Sequence, residues 1–268
     1  MKSQAAPGKL WSKPPMIQSP FLRALLIILI VGYTGYAIQC FEINAERIAY
    51  GLSRAGQMFG GFLRPDFAAR KNYIIQGVLE SMAMTVVATA LGVLFSLPLC
   101  LGAARNIVPK PVYTISRLLL VIFRSLHVVI LAILFVIMFG FGPFAGVLTL
   151  IVNPVGFLGK LVAEDIENIN EETLEAIRST GASWPQLILY GVWPQIATRF
   201  TGLVIYRADQ SFRQSTVIGL VGAGGIGAVL ETAMGRYDYN TAGAILLVII
   251  ILVLMGEYAS SAIRRRLV

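Results

Sequence analysis

The chain has 268 residues, 56% of them hydrophobic and 13% charged, with a mean hydropathy of +0.74 and a formal charge of +8. That composition excludes a soluble globular domain and points to an integral membrane protein, whose basic surplus is answered by anionic lipid headgroups and not by nucleic acid. Cys40 and Cys100 are isolated within apolar runs, so neither a disulfide framework nor a metal site is expected.

A bilayer-spanning helix needs about 20 mainly apolar residues. Residues 1–20, with three Lys and four Pro, read as a basic N-terminal arm. The first span covers 21–41; a signal peptide is the rival reading, but the apolar run is too long and no small-residue cleavage site follows. The 42–76 connection carries Ser53, Gly56, Gly60, Gly61, Pro65 and five basic residues, which suits an extracytoplasmic segment with a short interfacial helix. Five further spans are expected at 77–103, 115–139, 143–163, 190–212 and 241–262, with a break at Gly140-Phe141-Gly142-Pro143. Backbone groups in lipid must be satisfied internally, so spans of this length are helices and the fold is all-α, with about six crossings. Arg264, Arg265 and Arg266, the N-terminal lysines, and Arg105, Lys110 and Arg117 fall on one side, which the positive-inside rule makes cytoplasmic along with both termini. The basic residues of 42–75 lie on the other side and weigh against that orientation.

His127, the one histidine of the chain, lies just inside the third span and reads as a packed, hydrogen-bonded residue in preference to a proton relay. The fifth span is the unusual one, because Arg199, Arg207, Asp209 and Arg213 lie along it. A charge at mid-membrane costs about 3 kcal/mol, and at about 100° per residue Arg199 and Arg213 fall within about 40° of each other. Two readings stand open: the arginines line a positive pathway for an anionic cargo, or Arg199 and Arg213 snorkel to opposite surfaces. After Ser215 and Thr216 comes a glycine run, with Gly222, Gly224 and Gly227 matching a GxGxxG string and Gly225 inside it. No βαβ unit or downstream acid accompanies it, so a nucleotide fold is rejected. A broken or re-entrant helix beside the pathway and tight helix packing both remain open. No catalytic constellation and no Walker A pattern occurs, so the chain carries no catalytic residue and is not its own ATPase.

The acids are unevenly placed. Glu164, Asp165, Glu167, Glu171, Glu172 and Glu175 make an island in an otherwise apolar and basic chain, and it reads as a surface made to be gripped by another protein. From Glu171 to Thr180 the pattern is a short amphipathic helix, with Leu174 and Ile177 on one face and Glu172, Glu175 and Arg178 solvated. Gly181 then stops it. Ser183-Trp184-Pro185 starts a second short helix, and Pro194 marks re-entry into the membrane.

These residues resemble a family. Permeases of ABC importers carry a cytoplasmic signature of Glu-Ala-Ala, three residues, Gly, nine residues, Ile, any residue, Leu-Pro. Glu175-Ala176-Ile177, Gly181 and Pro194 hold those places with the right spacing, while Ile177, Gly191 and Trp193 depart from it. Leu97-Pro98-Leu99, the 140–146 glycine turn, Thr180-Gly181-Ala182-Ser183, Tyr190 to Gln195 and the 215–227 run together look like the phosphonate-type permeases, phosphite relatives included, over about residues 75–262. Arg124-Ser125-Leu126-His127 departs where that family more often has Arg-Ala-hydrophobic-Pro-Glu, which puts cargo preference and local gating in question.

The resemblance implies a MetI-like core at 77–263 plus the extra N-terminal helix, working as a homodimer in a bacterial inner membrane. It implies two ATPase subunits, which bind ATP and magnesium themselves, and an extracytoplasmic binding protein that delivers cargo. This chain would hold no cofactor. The 164–194 region would be the coupling element, with Glu171, Glu172, Leu174, Glu175, Ala176, Ile177, Thr180, Gly181 and Ala182 meeting the ATPase. Arg199, Arg207, Arg213, Ser215, Thr216, Gly222, Gly224, Gly225 and Gly227 would line the pathway or its gate. A stand-alone secondary transporter or channel for a small anion is the alternative; it would need buried coupling carboxylates, and Asp209 and Glu257 are the two that come near.

Overall fold

The computed structural model describes residues 19–40, 45–68 and 70–267, so the basic arm, apart from Ser19 and Pro20, lies outside the described residues. Every regular element among the described residues is a helix. They form two compact units that divide between Gln57 and Met58, whereas the sequence suggested a core beginning at 77. In the first unit, α1 (Pro20–Cys40) is apolar and buries no residue, as expected of a helix bathed in lipid. The division falls within α2 (Ala45–Phe62), the amphipathic helix expected in the 42–76 connection.

The second unit is built on α3 (Lys71–Gly102) and α6 (Pro143–Glu167), which pack along each other more extensively than any other pair. Gly92 makes that approach possible, since a Cβ there would lie 2.7 Å from Pro154. Around this pair stand α4 (Lys110–Ser125), α5 (Val128–Phe139), α9 (Trp193–Gly219), α10 (Gly225–Gly235) and α11 (Tyr239–Leu267). Two short elements, α7 (Glu171–Ser179) and α8 (Trp184–Gln186), join α6 to α9.

By length and composition α1, α3, α6 and α11 can each cross a membrane, and α4 with α5 makes a fifth crossing if the pair counts as one. At 27 residues α9 is long enough for a sixth, but its four charges set it apart. Two expectations are corrected. The 115–139 span is not one helix: α4 and α5 meet at 87° across Leu126 and His127. Leu126 is extended there, and His127 caps α5, its Nδ1 accepting from the Val129 N–H at 3.3 Å. His127 is therefore hydrogen-bonded but exposed, not packed. Pro194, read as the point of membrane re-entry, falls in the first turn of α9. The chain coils continuously from Trp184 through a π-turn at Leu187–Val192 into α9. The wider turn falls just before a proline that lacks the N–H an α-turn would use. The break at 140–143 is present as read, with Gly142 donating its N–H to the Gly222 carbonyl at 3.0 Å.

Candidate functional site

At one end of the second unit the acidic island is split. Its first half is turned inward at the last turn of α6. Glu167 pairs with Arg117 at 3.0 Å and accepts from the Arg105 N–H at 2.9 Å. Glu164 meets Lys160 at 3.5 Å, and Asp165 meets Arg199 at 2.9 Å. Glu167 and Asp165 tie α6 to α4 and α9, and Glu164 adds a longer contact to Arg117 at 3.9 Å, which corrects the reading of the whole island as one docking surface. The second half, Glu171, Glu172 and Glu175, stays exposed on α7.

How α7 is seated follows from its sequence. Asn170 caps it, its Oδ1 accepting from the Glu172 N–H at 2.9 Å, and Glu171 and Glu172 stand at the positive end of the helix dipole. Leu174, 2% exposed, is buried in a cluster with Ile166, Leu187, Val192 and Ile196, and Ile177 packs against it. The π-turn runs close beneath: a Cβ on Gly191 would stand 3.1 Å from both Leu174 and Ile177. That contact is the physical reason for glycine where the permease signature has Ile.

Polar clamps complete the seat. The Arg178 guanidinium donates to the Asn106 carbonyl at 3.0 Å, the Trp184 indole N–H to the Ile107 carbonyl at 3.1 Å, and the Asn106 amide to the Ile166 carbonyl at 2.8 Å. The Asn170 N–H reaches Gln195 Oε1 at 3.2 Å. Gly181 has φ +78°, with nothing within 4 Å of a Cβ, so its requirement is conformational. Of the nine residues singled out here, Glu171, Glu172, Glu175, Ala176, Thr180 and Gly181 are exposed, Ala182 and Ile177 half-buried, and Leu174 turned inward.

Along α9 the three arginines are not brought together. Arg199 belongs to the acidic end through Asp165. Arg213 sits between Asp209 at 3.2 Å and Glu257 of α11 at 3.0 Å; its rise from Arg199 along the helix is about 21 Å. Arg207, between them, is 4% exposed. It donates from Nη2 to Gln214 at 2.8 Å and lies 5.6 Å over the Phe157 ring of α6. Among the described residues its Nε has no partner, and neither has the buried Ser211 hydroxyl one turn on. Ser215 and Thr216 donate back to their own helix at 2.7 Å each, to the carbonyls of Phe212 and Arg213.

The glycine run forms the turn between α9 and α10. Gly224 and Gly225 have φ +79° and +72°, and a Cβ on Gly224 would lie 2.8 Å from the Pro143 nitrogen. Gly227 presses against the Thr216 carbonyl and Gly219. The helix break and the tight packing, posed as alternatives by the sequence, are both present. The N-terminus of α10 is occupied by side chains of α3: the Gly225 N–H reaches Glu80 Oε2 at 3.1 Å and the Ile226 N–H reaches Ser81 Oγ at 3.0 Å. Sequence reasoning passed over Glu80, whose signal was that of a lone acid in an apolar span. It also passed over Ser211 and Gln214, which give no signal without the fold.

Residues 96–267 match the family model described as binding-protein-dependent transport system inner membrane component, which encloses the acidic end and α9 to α11. The phosphite transport system permease protein PtxC of Stutzerimonas stutzeri is 37% identical over 241 residues, covering 90% of this chain and 85% of that protein. The phosphate-import permease protein PhnE of Mycolicibacterium smegmatis is 35% identical over 90% of this chain, which spans 45% of that longer protein. Among solved structures, the methionine ABC transporter MetNI in inward facing conformations aligns with a TM-score of 0.65 at 25% identity, over 75% of this chain and 99% of that one.

Proposed function

We propose, for a chain that belongs to the family of binding-protein-dependent transport inner membrane components, that it is the permease subunit of an ATP-driven importer of a phosphorus oxyanion, a phosphonate or phosphite. Two copies would enclose the pathway, with two ATPase subunits beneath and an extracytoplasmic binding protein above. The acidic end would then face the cytoplasm, and ATP with its magnesium would be held by the ATPase.

The observation that carries this reading is the seat of α7. A helix that shows three glutamates to solvent is held below by Leu174 and tied to the Asn106–Ile107 turn, the end of α6 and the start of α9. Displacing such a helix moves its neighbours with it, so closure of an ATPase gripping Glu171, Glu172 and Glu175 would pass to the spans as rigid-body motion. ATP and cargo would in that way bias an inward–outward equilibrium. The carboxylates that a stand-alone ion-coupled transporter would need, Asp209 and Glu257, are both engaged by Arg213.

The test is uptake by proteoliposomes holding the permease, its ATPase and its binding protein, compared for phosphite, methylphosphonate, 2-aminoethylphosphonate and phosphate. ATP-dependent uptake of at least one is expected. Uptake by the permease alone, without the ATPase, would overturn the reading.

A further inference from the structure

Four charged groups lie along α9, and all but one are neutralised by groups already in place. Arg199 is answered by Asp165, and Arg213 by both Asp209 and Glu257. Neither arginine can turn to a passing anion without stranding a carboxylate among helices. Arg207 has no carboxylate within 4 Å among the described residues, although it is 4% exposed. A guanidinium offers five N–H donors; one is spent on Gln214, and the inward Nε has no partner. Four residues on, hence on the same helix face, the Ser211 hydroxyl is fully buried and also unpartnered. Buried polar groups are normally satisfied, and a buried charge without a counterion is costly. Two such groups one helical turn apart, one a full cation and one a hydroxyl, hold donors that can be given to an oxyanion.

We propose that Arg207 and Ser211 form the cargo-binding subsite of the pathway, receiving a tetrahedral phosphorus oxyanion. This rests on the oxyanion-importer reading above and narrows it from a row of arginines to one. The chemistry fits: a planar guanidinium fork binds an oxyanion through two donors, and a hydroxyl supplies a third. Phe157 covers one face of the guanidinium and Gln214 holds one edge, so the Nε edge is the one left for cargo. The subsite is closed in this conformation, between α6 and α9. Asp165 of α6 and Arg199 of α9 tie the same two helices at the acidic end, so a displacement there is the motion that would part Phe157 from Arg207.

The experiment uses the complete complex in liposomes of zwitterionic lipid only, which removes lipid phosphate carrying net negative charge as the source of the anion. The first readout leaves out the binding protein, which holds cargo itself, and is the thermal midpoint of the permease with its ATPase titrated with phosphite against sodium chloride at matched ionic strength. Phosphite should raise the wild-type midpoint and leave that of Arg207→Met unmoved; a merely structural arginine would lower the midpoint without changing its response to phosphite. The second is ATP-driven uptake, where Arg207→Met should lose about tenfold to a hundredfold in turnover, the range of one lost charge-assisted bond. Ser211→Ala should lose less, with the apparent KM unchanged because the binding protein sets it. A wild-type midpoint blind to phosphite, a response kept by Arg207→Met, or unaltered uptake overturns the assignment. If Arg207→Met does not assemble, Arg207→Lys and Ser211→Ala decide: weakened phosphite response and uptake in both support the subsite, and full retention in either overturns it. Wild-type complex that carries no phosphorus oxyanion at all would instead sink the functional reading, which normal uptake by Arg207→Met leaves standing.

Discussion

The acidic end of the bundle and the middle of α9 both hold charge inside packed helices, and they satisfy it in different ways. At the acidic end every inward acid has a cation: Glu164, Asp165 and Glu167 meet Lys160, Arg199 and Arg117. The adjoining turns are laced by the Arg178, Trp184 and Asn106 bonds. In the middle of α9 a cation and a hydroxyl are buried without full partners. A region that transmits displacement gains from paired charges and many cross-links, because slack between α7 and the spans would absorb the motion. A region that must take up and release a ligand needs donors not already committed. Charge pairing thus separates two tasks that the sequence presents as one charged stretch: the acids of the acidic end have cations, and Arg207 has no carboxylate within 4 Å among the described residues.

The sharpest way to break this comparison is at Leu174. Leu174→Ala opens a cavity under α7 and should cost about 2–5 kcal/mol, read as a lowered thermal midpoint together with lost ATPase stimulation. Glu175→Arg changes only the exposed face, so its midpoint should stay within about 0.5 kcal/mol of wild type while ATPase stimulation is still lost. Normal stimulation in Glu175→Arg would remove α7 as the gripping surface. Gly191→Leu comes next. It pushes the π-turn away from Leu174 and Ile177, an overpacking cost of about 1–3 kcal/mol, and should weaken coupling in proportion.

Arg199 tests which region it belongs to. Its side chain is 70% exposed while that of Asp165 is 9% exposed, so removing the arginine strands a nearly buried carboxylate. Arg199→Ala should cost about 1–2 kcal/mol, between the values for exposed and buried pairs. Adding Asp165→Asn should restore part of the loss, a coupling that a double-mutant cycle reads directly. A variant that keeps its thermal midpoint but loses uptake would place Arg199 in the pathway instead.

Much of this was legible in the chain. Apolar runs located the crossing helices, Gly181 ended α7 where the structure ends it, and the glycine run announced a break or a close approach. What was hidden depended on partners far away in sequence. Arg117 lies 50 residues from Glu167 and Arg199 lies 34 from Asp165, so no spacing rule separates the inward acids from the exposed ones. The 87° bend at Leu126 and His127 sits inside continuous apolar character, which conceals the end of one helix and the start of the next. The π-turn is hidden for a related reason, since Leu187–Val192 reads as ordinary apolar helix. Arg207 looks like its neighbours until the pairing of Arg199 and Arg213 is known.

The smallest expected effect is at that bend. His127 accepts the Val129 N–H through Nδ1 at 3.3 Å, a long bond from an exposed side chain. His127→Ala should therefore cost about 0.5 kcal/mol, the low end for a lost cap. Asn is a better capping residue than histidine, so His127→Asn should match or slightly exceed the wild-type midpoint with uptake unchanged. If His127→Asn keeps the midpoint and abolishes uptake, the histidine moves a proton or touches cargo, and the middle of the bundle then holds a second functional group beside Arg207.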